Sequence, residues 1–142
     1  MKVDVLNLEY TSVPSRDRET ASLVCGYLRY KGYKVVENSI FNGYNILKKN
    51  KPKILFMSNT SGSKLNQQVA RYAKKKGIIV IALISEGNIK HELLSQMTWG
   101  HNEEKVHFED AFLIWNKKSY EMIVNNYPKL KKNFKDFRFC GT

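Results

Sequence analysis

The chain has 142 residues, is 42% hydrophobic and carries a formal net charge of +11 at pH 7. That length suits one domain with a real core, and that apolar fraction is the composition of a folded globular chain and not of a disordered one. No apolar run reaches the roughly 18 residues that a spanning helix needs, and the excess of cations attracts polyanions without choosing among nucleic acid, anionic lipid and phosphate-bearing substrates.

"KVDVLNL" (2–8) reads as a first strand, and "EYTSVPSRDRE" as a polar loop. Ala21, Val24, Cys25 and Leu28 recur at helical spacing, so a helix is expected from about Ser15 to Lys31. Ser15 is its cap, Asp17 and Glu19 suit the positive end of its dipole, and Gly32 stops it. "YKVVE" (33–37) is a second strand. A short helix follows in "SIFNGYNILKKN", interrupted by Gly43 and closed by Pro52. "KILFM" (53–57) is a third strand, and "SNTSGS" turns into a helix whose Leu65, Val69, Tyr72 and Ala73 share a face up to Gly77. "IIVIALI" (78–84) is apolar throughout, the pattern of a central strand buried on both faces. After "SEGN" (85–88) a helix is expected around Ile89 to Met97, then a wet loop, "WGHNEEKVH", and a fifth strand, "DAFLIW" (110–115). Tyr120, Ile123, Val124 and Tyr127 mark another helix, "PKLKKNFKDFR" (128–138) a basic loop, and "KDFRFCGT" a sixth strand. This alternation dictates an α/β, three-layer, Rossmann-like domain over residues 1–142, with about six mainly parallel strands and helices on both faces.

Ligands in such folds sit at the carboxyl ends of the strands, which singles out the loops 9–16, 58–63, 85–88 and 116–118, the last opened by Asn116. In the second loop Asn59, Ser61 and Ser63 offer side chains and N–H groups at a helix N-terminus, the physics of anion binding and equally of plain N-capping. The spacing fits neither the P-loop nor the dinucleotide fingerprint. Glu86, after the most buried strand, could act as a general base with a raised pKa, with Gly87 beside it; the alternative is an exposed turn in which Gly87 supplies positive φ. In the first loop, with Glu9, Arg16 or Arg18 could fork onto a carboxylate or phosphate, or simply form a solvated helical turn. His91, His101 and His107 do not form a metal-ligand set. Cys25 and Cys140 lie far apart and read as reduced core residues.

Together, "RETASLVCGYLRYKGYKVVE", "KPKILFMSN", "KKKGIIVIALISEGN", "DAFLIWNKKSYEMIVNNYP" and "FRFCGT" resemble the N-terminal half of surface-carbohydrate biosynthesis glycosyltransferases of the two-Rossmann-domain (GT-B) type, kin to teichoic-acid glycerophosphotransferases. Glu86 and Gly87 match that family's acidic-glycine element. Ser85 stands where the family has a second acidic residue, and Asn116, not glycine, follows Trp115. The resemblance implies an acceptor-side domain that is inactive alone. A nucleotide-sugar donor would bind a second Rossmann domain or partner chain, with no cofactor held tightly here. The expected acceptor is an anionic glycan or lipid-linked saccharide, at the cytoplasmic side of a membrane, with no specific nucleic acid. The alternative is a stand-alone flavodoxin-like binder of nucleotide or phosphate.

Overall fold

The computed structural model describes residues 2–10, 15–84, 90–100, 102–114, 116–133 and 136–139. The order is β1 (Val5–Glu9), α1 (Arg16–Tyr30), β2 (Val35–Ser39), α2 (Gly43–Asn50), β3 (Ile54–Met57), α3 (Lys64–Lys75), β4 (Ile79–Leu83), α4 (Leu94–Trp99), β5 (Ala111–Ile114), α5 (Lys117–Asn126), α6 (Leu130–Asn133) and β6 (Asp136–Phe139). Single 3-10 turns, Ile40–Asn42 and His91–Leu93, lead into α2 and α4. All pairings are parallel, and the sheet runs β2-β1-β3-β4-β5, with β6 beside β5 at the edge. The expected α/β class is therefore the observed one.

Alternation along the strands sorts their side chains onto two faces. Leu6, Leu8, Leu55, Met57 and Val80 pack with Leu47 of α2 and Val69 of α3. The same face continues through Ala82, Phe112 and Ile114, covered by Leu94, Ile123 and Leu130. On the opposite face Val5, Phe56 and Leu83 pack with Ala21 and Cys25 of α1. Burial pushes the Cys25 thiol up to about 12, so it stays protonated as a core residue. Cys140 lies outside the described residues.

Several sequence expectations need correction. β1 and β2 begin later than read, at Val5 and Val35, because Asp4 ends the ladder: its carboxylate accepts from Lys34 N at 3.0 Å and from Lys53 Nζ at 2.7 Å. Gly43 does not interrupt a helix but opens α2 in helical conformation. A Cβ there would meet Val69 at 3.1 Å and Leu8 at 3.3 Å, so glycine lets the helix sit close to α3 and the sheet. β4 is central in the sheet yet not buried on both faces: Ile79 is 47% exposed, because α1 reaches only part of that face. The loop after α4 is wet only in its middle: Glu103, Glu104, Lys105 and Val106 are exposed, whereas Trp99 at the end of α4, Asn102 and the His107 side chain are buried. The basic stretch 128–138 is not a loop: its apolar Leu130, 1% exposed, anchors α6, and Asp136–Phe139 pairs with β5. Among the described residues no helix is long and apolar enough to cross a membrane.

Candidate functional site

β1 connects through α1 to β2 on one side, while β3 pairs with its other edge, so strand order reverses between β1 and β3. An open α/β sheet splits at this switch point beyond the carboxyl ends of its strands. A crevice of about 200 Å³ lies there, lined by Glu9, Tyr10, Ser15, Asp17, Asn59, Gly62 and Asn66.

The α1 face of the two strands turns polar toward this end. Val5 gives way to Asn7 and Glu9, and Phe56 to Ser58, each two residues apart and so on one face. Asn7, Glu9 and Ser58 are all buried. Glu9 Oε1 accepts from Asn7 Nδ2 (3.0 Å), Ser58 N (2.7 Å) and Ser58 Oγ (2.8 Å). Asn7 Nδ2 also donates to Phe56 O across the β1–β3 seam, at 3.1 Å. Burial pushes the Glu9 carboxyl above its ordinary range; the Ser58 and Asn7 donors oppose this, and the charge of Asp17 adds to it. The carboxylate is thus anchored through one oxygen at the wall of a crevice.

The β3–α3 turn uses its own donors. Asn59 Oδ1 accepts from Ser61 N at 3.0 Å and Gly62 N at 2.6 Å, and Ser63 Oγ accepts from Asn66 N at 3.1 Å as the cap of α3. Asn66 Nδ2 donates to Asn59 O at 2.7 Å. The N–H groups of Ser61, Gly62 and Asn66 are therefore engaged in turn and cap bonds. Tyr10 OH lies 2.7 Å from Ser63 Oγ and ties the end of β1 to this turn.

Of the expected residues, Glu9 and Asn59 line the crevice and Ser63 borders it through Tyr10. Ser61 instead lines a small recess between β3 and β4. Arg16 is the first residue of α1, and Arg18 is exposed in its first turn. Asn116 caps α5, accepting from Ser119 N at 2.8 Å, and does not line the crevice. Glu86 and Gly87 lie outside the described residues. Sequence reasoning missed Asn7 and placed Ser58 only in the β3–α3 turn, not beside Glu9; the signal was the switch from apolar to polar at period two, at the carboxyl ends of β1 and β3.

A second buried polar cluster went unread. Glu109 Oε1 hydrogen-bonds Thr60 Oγ1, and its Oε2 lies 3.1 Å from His107 Nδ1. Phe108 N donates to the same oxygen at 2.9 Å. His107 packs against Trp99, ring centroids 4.3 Å apart. Burial opposes ionisation of Glu109, but the bonds and charge of His107 together with Thr60 outweigh it, holding the carboxyl below its ordinary range. This pair braces the 102–110 loop against the β3–α3 turn. Among the described residues no group of three or more His, Cys, Asp or Glu could hold a metal ion.

A larger recess, about 450 Å³, lies at the amino edge of the sheet, lined by Leu47, Lys48, Lys51, Pro52, Tyr72 and Lys76 among others. Its lysines sit at the ends of α2 and α3, where cations complement helix dipoles, so its size does not make it the site.

What the topology and the crevice define is a class: an open-sheet α/β fold with a polar, carboxylate-bearing cleft at its switch point. No protein-family model matches the chain, and no curated protein matches it.

Proposed function

We propose that this chain is the acceptor-side part of a sugar-transferring enzyme, and that the β1–β3 crevice receives a saccharide through its hydroxyl groups. One observation carries the reading: among the described residues the crevice lining holds two carboxylates, Glu9 and Asp17, with amide, hydroxyl and phenol groups, and no lysine or arginine. Such a lining accepts hydrogen bonds from hydroxyls and repels phosphate. Glu9, fixed through Oε1, presents its other oxygen to an acceptor hydroxyl and takes the proton as that hydroxyl attacks an activated donor. In this proposal Glu9 takes the general-base role that the sequence offered for Glu86, which lies outside the described residues. The donor belongs on a second domain or partner chain, because transfer needs both substrates held in line. The cationic surface, net +11, suits the cytoplasmic face of an anionic membrane where lipid-linked acceptors reside.

The strand order β2-β1-β3-β4-β5 is also that of flavodoxin-like binders, which favours a stand-alone nucleotide or flavin site as the second reading. Calorimetric titration with neutral oligosaccharides, inorganic phosphate and FMN separates the two. Saccharide binding weakened about tenfold by Glu9→Gln is the expected result, the loss of one charged hydrogen bond. Binding of FMN or phosphate, with saccharides ignored, contradicts it.

A further inference from the structure

One face of the sheet is left open. All-parallel sheets are normally covered on both faces, yet among the described residues only α1 lies on the face formed by Val5, Phe56 and Leu83. Beside α1 runs an apolar groove of about 310 Å³, lined by Val24, Leu28, Tyr33, Ile54, Ile81 and Leu113 among others. Exposed apolar surface continues onto the helix: Leu23 is 77% exposed, Tyr27 60% and Tyr30 83%. At 100° per residue, Leu23 and Tyr30 point away from the sheet that Ala21 and Cys25 face, and Tyr27 points toward the groove. A patch of this kind marks an interface.

We infer that the occupant is a second copy of this chain, docked about a two-fold axis with its α1 antiparallel to this one. The surface carries a ridge and a recess side by side, which is what a self-complementary interface requires. Two α1 helices then pack against one another between two sheets. Each keeps Ala21 and Cys25 on its own sheet and turns Leu23, Tyr27 and Tyr30 toward the other chain. Gly26 lies on the same outer side, with nothing within 4 Å of where a Cβ would be.

Charge specifies the antiparallel sense. Glu19, Leu23, Tyr27 and Lys31 follow one another every four residues along a ridge, all exposed. The row is symmetric about its middle. Reversed on the second copy, it sets Glu19 against Lys31, and Leu23 against Tyr27, twice over. A parallel arrangement would oppose like charges.

Sedimentation equilibrium from low to high micromolar concentration tests this. The wild-type chain is expected at twice its monomer mass, and Leu23→Glu and Tyr27→Glu at monomer mass with unchanged circular dichroism, since both side chains are exposed. Lys31→Glu should weaken association about tenfold, and adding Glu19→Lys should restore it. A wild-type monomer at the highest concentration overturns the inference, as does a dimer indifferent to Leu23→Glu, or a double exchange that fails to rescue.

Discussion

Glu9 and Glu109 are buried carboxylates with opposite relations to pH, and the reason lies in their neighbours. Glu9 has neutral donors on one oxygen and Asp17 nearby, so burial wins and its affinity for a proton rises. A raised pKa contributes stability that is complete below the ordinary value of 4.5 and is lost as pH climbs through the raised one. Glu9→Gln keeps an oxygen for the three donors and removes the buried charge. Urea unfolding at pH 7 should find it as stable as wild type or about 1 kcal/mol more so, with the difference closing in acid. Glu109 has His107, and its pKa falls. Its contribution is present above 4.5 and disappears as pH drops through the lowered value. Glu109→Gln should therefore cost about 3 kcal/mol at neutral pH, the scale of a broken buried pair, and progressively less on acidification. Unfolding curves with the same pH trend for both variants would refute this assignment.

At the scale of the element, glycines with different surroundings give opposed expectations. Gly26 sits within α1 with open space around it, so Gly26→Ala should stabilise the fold by about 0.8 kcal/mol, the gain in helix propensity, read as a higher melting temperature. Gly100 closes α4 at φ 53°, and a Cβ there would lie 2.3 Å from Ser61 O. Gly100→Ala forces α4 away from the β3–α3 turn and should cost about 2 kcal/mol or more. The elements themselves were legible: apolar runs gave six strands, and the stripe of Ala21, Val24, Cys25 and Leu28 gave α1 with its capping Ser15. Gly43 was misread because a glycine in mid-segment signals either a break or a close approach, and only Val69 and Leu8 across the gap decide which. The 102–110 loop was misread because Glu109 and His107 look like solvated polar residues until Thr60, 49 positions away, supplies a partner.

For the molecule as a whole, the order in which strands pair decides where the site falls, and pairing leaves little trace in a single chain. Any of four loops could have been the mouth; the β1–β3 seam makes it the pair that carries Glu9 and Asn59. The same order puts β1, β3, β4 and β5 inside the sheet and β2 and β6 at its edges. Native-state hydrogen exchange should find the slowest amides in the inner four, with β6 opening at lower free energy. The open half of the α1 face has the same origin: every crossover after β2 moves the chain the same way across the sheet, so later helices gather on the other face.

The central claim is that a saccharide enters the β1–β3 crevice beside Glu9. Amide chemical-shift mapping with a neutral oligosaccharide tests it most directly. The expected result is shifts at Tyr10, Asn59, Gly62 and Asn66 that need about tenfold more saccharide in Glu9→Gln. Shifts gathered instead around Lys48, Lys51 and Lys76 at the opposite edge, or no shifts with any saccharide, would contradict it.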